Sequence, residues 1–236
     1  MIELNADIGE GYDDAALMRY VSRVSIACGG HAGDADSMAA ALGLAMEFGV
    51  LVGAHPSYPD RAGFGRRKIE ATPDQVAAWV REQTEVLAEQ AARLGMRLAH
   101  VKPHGALYNV AAADAEVAAA VARGVAAVDP SLELIGLSAS RLIAEARGLG
   151  LGVLNEAFID RRYDAQGRLV SRETPGAVLG DPQLAADQAL TLAQGRPLGT
   201  ADGGSLQVAA DTLCLHGDTP HALQIARAVH AVLYRG

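Results

Sequence analysis

The segment SIACGGHAGD, residues 25–34, begins as a buried strand and ends as a polar turn. Ser25-Ile26-Ala27 continues the β-branched pattern of Val21 and Val24, and Cys28 with two glycines then leads to His31 and Asp34. The same junction recurs along the chain. Asn5-Ala6-Asp7 runs into Gly9-Glu10-Gly11, the apolar run at 50–54 into His55-Pro56, and the run at 98–101 into Lys102-Pro103-His104-Gly105. After 151–154 come Glu156, Asp160, Arg161 and Arg162, and the run at 212–215 ends in His216-Gly217-Asp218. In a closed parallel barrel the C-terminal ends of all strands meet on one face, and such folds assemble active sites there. Repeated strand-to-polar junctions are what that fold requires.

The rest of the pattern agrees. Strand-like runs fall at 2–6, 21–27, 50–54, 98–101, 132–137, 151–154 and 212–215, with helical patterns at 36–48, 73–94, 113–128, 140–146, 182–193 and 220–234. Thr72-Pro73 and Asp181-Pro182 each offer an N-cap followed by proline at the first helical position, and Gly49, Gly95 and Gly148 close helices. Alternating strands and helices specify a parallel sheet covered by helices. No GxGxxG follows the first strand, and the polar junctions are spread over the whole chain, which favours a (β/α) barrel over an open doubly wound sheet. No linker divides the 236 residues, so one domain over 1–236 is expected.

Each rim residue has a bland reading. Asp34, Asp181 and Asp218 are each suited to capping a helix, Arg66-Arg67-Lys68 reads as a solvated basic run, and Cys28 as an inert thiol. His100, His221 and His230 are assigned structural or surface roles. Convergence argues the other way for His31, His55, His104 and His216, which follow four different strands at the same relative place.

A net charge of −8 and a pI near 5.3 argue against nucleic acid or an anionic membrane as partner. The most apolar tract, 110–128, is broken by Asp114, Glu116 and Arg123, so no membrane span is expected. Glu3 and Asp7 stand where a signal peptide would be basic and then apolar, and two cysteines make no disulfide framework. A cytoplasmic protein with free thiols is expected.

Six stretches carry a family resemblance: NADIGEG at 5–11, IACGGHAGD at 26–34, GAHPSYPDRAGFGRR at 53–67, HVKPHGALYN at 100–109, EAFIDRRYDAQGRLVSRETPGAV at 156–178 and CLHGDTP at 214–220. In order and wording they resemble the LamB/YcsF family. The resemblance implies a distorted, TIM-like (β/α) barrel related to polysaccharide deacetylases. It implies the A subunit of an ATP-dependent 5-oxoprolinase, which opens the lactam of 5-oxo-L-proline to L-glutamate while ATP becomes ADP and phosphate, in company with subunits B and C. Two departures stand out: the Gly11-Tyr12-Asp13-Asp14 segment is short for the family, and Gly30 stands where many members have Phe, an opening in the pocket wall.

A lactam is an unreactive amide, so its hydrolysis needs an activated carbonyl, a base and cations at the developing charge. Asp7, His55 and His104 are candidates for the base and its orienting partner, with Asp160 behind them. Lys102 suits an oxyanion or phosphate, and Arg161 a substrate carboxylate. His31, Glu156, His216 and Asp218 complete the substrate-binding rim, and no bound metal is expected. Without a GxxxxGK[ST] loop, Mg-ATP is expected to be held mainly by the partner subunits. Two rivals stay open: a metal-dependent deacetylase or amidohydrolase using Asp7 and two rim histidines, and a ligand-binding subunit without chemistry.

Overall fold

A computed structural model describes residues 2–219 and 221–234. The strands are β1 (Glu3–Ile8), β2 (Arg23–Ala27), β3 (Leu51–His55), β4 (His100–Val101), β5 (Glu133–Leu137), β6 (Val153–Phe158), β7 (Leu198–Gly199), β8 (Ser205–Leu206) and β9 (Thr212–Leu215). The helices are α1 (Asp14–Met18), α2 (Ala35–Phe48), α3 (Pro73–Arg93), α4 (Gly105–Ala113), α5 (Ala115–Val128), α6 (Arg141–Gly148), α7 (Pro182–Ala193) and α8 (Ala222–Tyr234). β1 to β6 and β9 form a closed barrel in which every pairing is parallel, and β9 seals it between β6 and β1. β7 and β8 make a small antiparallel pair outside it. No helix among the described residues is long and apolar enough to cross a membrane.

Alternation along each strand divides the residues between helices and lumen. Leu4, Ala6, Ile8, Val24, Ile26, Val52, Ala54 and Val101 are buried and belong to the apolar core. α3 and α5 add Val76, Val80 and Leu87 against a run of buried alanines, Ala118, Ala120 and Ala122. Small side chains let these helices pack closely, and each fully buried Val or Leu contributes about 1.5–3 kcal/mol.

The lumen is polar. Arg23 on β2 donates across the barrel to Glu133 on β5 at 3.0 Å and to Glu3 on β1 at 2.9 Å. Above it Asn5 donates to Thr212 at 2.8 Å, and Ser25 Oγ lies 3.2 Å from His100 Nε2. Gly53 faces the His100 ring, where an added Cβ would lie 2.4 Å from it. Polar residues can occupy this space because each has a partner.

Departures from the expected elements follow from that interior. β6 runs on through Glu156 to Phe158 instead of ending at 154, and β1 continues past Ala6 through Asp7. A carboxylate reads locally as the end of a strand, but here Lys102 satisfies both from across the lumen. The helix expected over 113–128 is α5, beginning at Ala115, and a further helix, α4, stands before it where none was expected. Asp114 caps α5 by accepting the N–H groups of Glu116 and Val117, and α4 precedes it, begun by Gly105 at φ +56°. α6 runs through Gly148, and Gly150 makes the left-handed turn instead. The expected helix start at Pro220 lies outside the described residues.

Candidate active site

A cavity of about 850 Å³ opens at the C-terminal mouth of the barrel. Lys102, 2 % exposed and just beyond β4, reaches into the centre of its floor. Its Nζ lies 3.0 Å from Asp7 Oδ1, 2.8 Å from Glu156 Oε1 and 3.2 Å from both Asn5 Oδ1 and Cys214 Sγ. Burial pushes the ammonium pKa down, but Asp7, Cys214 and Glu156 outweigh it and hold the group charged. Burial likewise pushes Asp7 up, and His55 with Lys102 overrides this to about 2. Tyr108 donates to the other oxygen of Glu156 at 2.7 Å.

Beside this ion cluster three histidines surround Glu10. His31 Nε2 lies 2.8 Å from Glu10 Oε1, His104 Nδ1 at 3.2 Å and His55 Nε2 at 3.8 Å. Burial pushes Glu10 up, but the imidazoles packed around it, His104 and His31 foremost, hold it below the ordinary carboxylate value. His55 is lowered to about 3 by burial, which outweighs the opposing pull of Asp7, so its ring is neutral at pH 7. Gly9 and Gly11 take φ of +74° and +91°, and Asp14 accepts the Gly9 N–H at 2.9 Å. The short 11–14 segment thus ties down the turn that presents Glu10.

His216 follows β9, the neighbour of β1 in the barrel. Its Nδ1–H donates to Asp160 at 2.8 Å, and Thr219 donates to the same carboxylate at 2.9 Å. Burial pushes Asp160 up, yet His216, Thr219 and Arg172 together hold it below the ordinary value. With Nδ1 engaged, Nε2 is the basic nitrogen of His216. Four arginines, Arg66, Arg161, Arg168 and Arg172, also line the cavity. Arg66 and Arg172 donate to Asp218 at 2.6 and 2.9 Å. Arg161 gives Nη2–H to Val170 O at 2.6 Å, while its buried Nε–H has no protein partner among the described residues.

Of the residues singled out in the sequence, Asp7, His55, Lys102, His104, Arg161, His216 and Asp218 line the cavity. His31, Glu156 and Asp160 stand behind that wall, supporting Glu10, Lys102 and His216. Asp34 caps α2, its Oδ1 accepting Ser37 N–H at 2.9 Å. The 66–68 run divides: Arg67 pairs with Asp60, whereas Arg66 faces the cavity and is no mere solvated charge. Gly30 does not open the wall, because Gln83 and Ser57 fill the space a side chain would take. His100 and His104 are four apart in sequence but do not converge, since His100 meets Ser25 inside the lumen. Burial pushes the Cys28 thiol to about 12, as an inert cysteine requires. Glu10, Tyr108 and Arg172 carry the site without having been singled out; for Glu10 the bracketing glycines were the available signal.

A model of the LamB/YcsF family matches residues 2–236. A relative from Chloroflexus aggregans, named as the A subunit of 5-oxoprolinase, is 49% identical over 97% of this chain and 93% of that protein. One of the same name from Heliobacterium modesticaldum is 47% identical over 98% and 94%. The crystal structure of a lactam utilization protein from Thermus thermophilus superposes with a TM-score of 0.93 at 42% identity, covering 99% of this chain and 96% of that one.

Proposed function

The chain belongs to the LamB/YcsF family, and from that membership we propose that it is the A subunit of a 5-oxoprolinase, opening 5-oxo-L-proline to L-glutamate at the expense of ATP. The observation that carries the chemistry is that one cavity is lined both by an Asp160-supported His216 and by Arg161, whose Nε–H has no partner among the described residues. The first is a positioned base, and the second is a buried donor suited to a carboxylate.

Arg161 receives the substrate carboxylate, and the ring lies toward Lys102. Water adds to the lactam carbon while His216 Nε2 accepts its proton. The C–N bond then breaks, and the freed nitrogen takes that proton to become the amine of glutamate. Lys102, fixed by Asp7 and Glu156, offsets the charge that develops on the carbonyl oxygen. The cavity is larger than one five-membered ring acid needs, and its arginines suit phosphate. Subunits B and C transfer the γ-phosphoryl group of Mg-ATP to the carbonyl oxygen with release of ADP, so that water addition and C–N cleavage leave an acyl phosphate, which a second water hydrolyses in the barrel to the glutamate carboxylate and phosphate.

Reconstitution tests this. The chain alone should convert little 5-oxoproline, and addition of subunits B and C with Mg-ATP should yield glutamate and ADP. Full ATP-dependent turnover by the isolated chain would overturn the division of labour, and no turnover in the complete complex would overturn the activity.

A further inference from the structure

We propose that His55 Nε2, His104 Nδ1 and Glu10 Oε1 form a three-ligand site for a divalent transition-metal ion of the zinc class, its fourth position open to the cavity. Backbone carbonyls fix the ring tautomers. His55 Nδ1 lies 2.7 Å from Lys102 O, and His104 Nε2 lies 3.0 Å from Phe64 O. A carbonyl only accepts, so both of those nitrogens carry hydrogen. In the neutral rings His55 Nε2 and His104 Nδ1 are therefore lone-pair acceptors, yet they face each other at 3.0 Å. Both also face Glu10 Oε1, itself an acceptor. Three acceptors on one point need a positive charge between them.

Spacing suits a metal. The three ligand atoms are 3.0, 3.2 and 3.8 Å apart. Metal bonds of about 2.0–2.1 Å in tetrahedral array put ligand atoms about 3.3 Å from one another. The His55 and His104 rings stand at 85°, so their lone pairs can converge. His31 is not a fourth ligand. Its ring is stacked on His104 at 3.6 Å and 1°, and stacked rings keep their in-plane lone pairs in two parallel planes that do not meet at one ion. It serves instead as a hydrogen-bond donor that orients Glu10, just as the two backbone carbonyls orient the ligating rings.

Charge agrees. Asp7 and Glu156 flank the ammonium of Lys102, and with Glu10 held among the histidines beside them the cluster sets three carboxylates against one lysine, an excess of two negative charges that a divalent ion would cancel. Two histidines with one glutamate and an open position is a ligand set of catalytic zinc sites, and all three line the cavity. Such an ion supplies Lewis-acid polarisation of a carbonyl. This deepens the lactam reading but is tested apart from it.

The test uses the isolated full chain, without partner subunits, ATP or 5-oxoproline. After stripping with a chelator, Co²⁺ is titrated and followed by its visible ligand-field absorption and by the melting temperature. One equivalent should bind, with a rise in melting temperature, and Zn²⁺ should displace it. Glu10→Gln and His55→Ala should each weaken binding a hundredfold or more, while His230→Ala leaves it unchanged. If His55→Ala does not fold, the near-isosteric Glu10→Gln decides alone. Absence of stoichiometric Co²⁺ and Zn²⁺ binding by the folded chain, or binding indifferent to Glu10→Gln, means that protons rather than a metal bridge the cluster. Either result overturns the proposal whatever turnover the reconstituted complex shows.

Discussion

His100 sits in the lumen with its ring wholly buried and Ser25 Oγ 3.2 Å from Nε2. Burial, then the charges of Arg23 and Lys102, push its pKa well below the ordinary 6.5, with only Asp7 opposing. The folded chain therefore resists a proton that the unfolded chain accepts. Stability from this group is complete above pH 6.5 and declines as pH falls below it, by up to about 1.4 kcal/mol per pH unit. His31 and His55, lowered in the same direction, act in the same window, whereas Asp7, lowered from 3.8, acts only in stronger acid. His100→Gln should make the stability curve shallower between pH 6.5 and 5 without flattening it, as read from urea midpoints across that range. An unchanged slope would show that His100 does titrate in the fold. At the mouth, Asp160→Asn removes the carboxylate that fixes the His216 tautomer. Turnover of the reconstituted complex should fall about a hundredfold or more. Normal turnover would remove His216 from the role of base.

Gly105 is where one element depends on another. It begins α4 at φ +56°, and an added Cβ would lie 2.6 Å from Gly65 O, a backbone atom that already accepts the Ala106 N–H at 2.9 Å. Gly105→Ala should cost about 1–3 kcal/mol by overpacking and strain. It should also disturb His104, the residue immediately before it, so Co²⁺ affinity is a second readout. A neutral effect on the melting curve would mean that the turn relaxes freely. Thr72 offers a cleaner local case. Its Oγ1 accepts the Gln75 N–H at 3.2 Å while Gln75 Oε1 accepts the Thr72 N–H at 2.9 Å. Thr72→Ala should lower stability by about 1 kcal/mol and leave the site untouched.

The whole barrel is tied at its floor by Arg23, which is 4 % exposed and links β2 to β1 and β5 through Glu3 and Glu133. Breaking a buried pair by removing one partner costs about 3–5 kcal/mol. Both carboxylates here are 37 % exposed, so the lower end or less is expected for Arg23→Met, because water reaches the partners left behind. Equilibrium unfolding checks it, and a stabilised variant would show that the lumen prefers apolar filling.

The sequence by itself determined the alternation of strands and helices, the barrel, and the face on which the polar residues gather, because hydrophobic periodicity and turn residues are local signals. It also carried the caps at Asp34, Thr72 and Asp181, whose partners lie within the next few residues. Tertiary structure alone decided the roles. Asp7 and Glu156 became interior strand residues only because Lys102 crosses the lumen to them. Arg66 became a cavity residue through Asp218, 152 positions away. His31, His55 and His104 read alike as strand-end histidines. Backbone carbonyls at Lys102 and Phe64 set the free nitrogens of His55 and His104 on Glu10, and stacking excludes His31. A side chain's charge state, tautomer and duty depend on groups brought near by folding, and no local pattern encodes distance across a barrel.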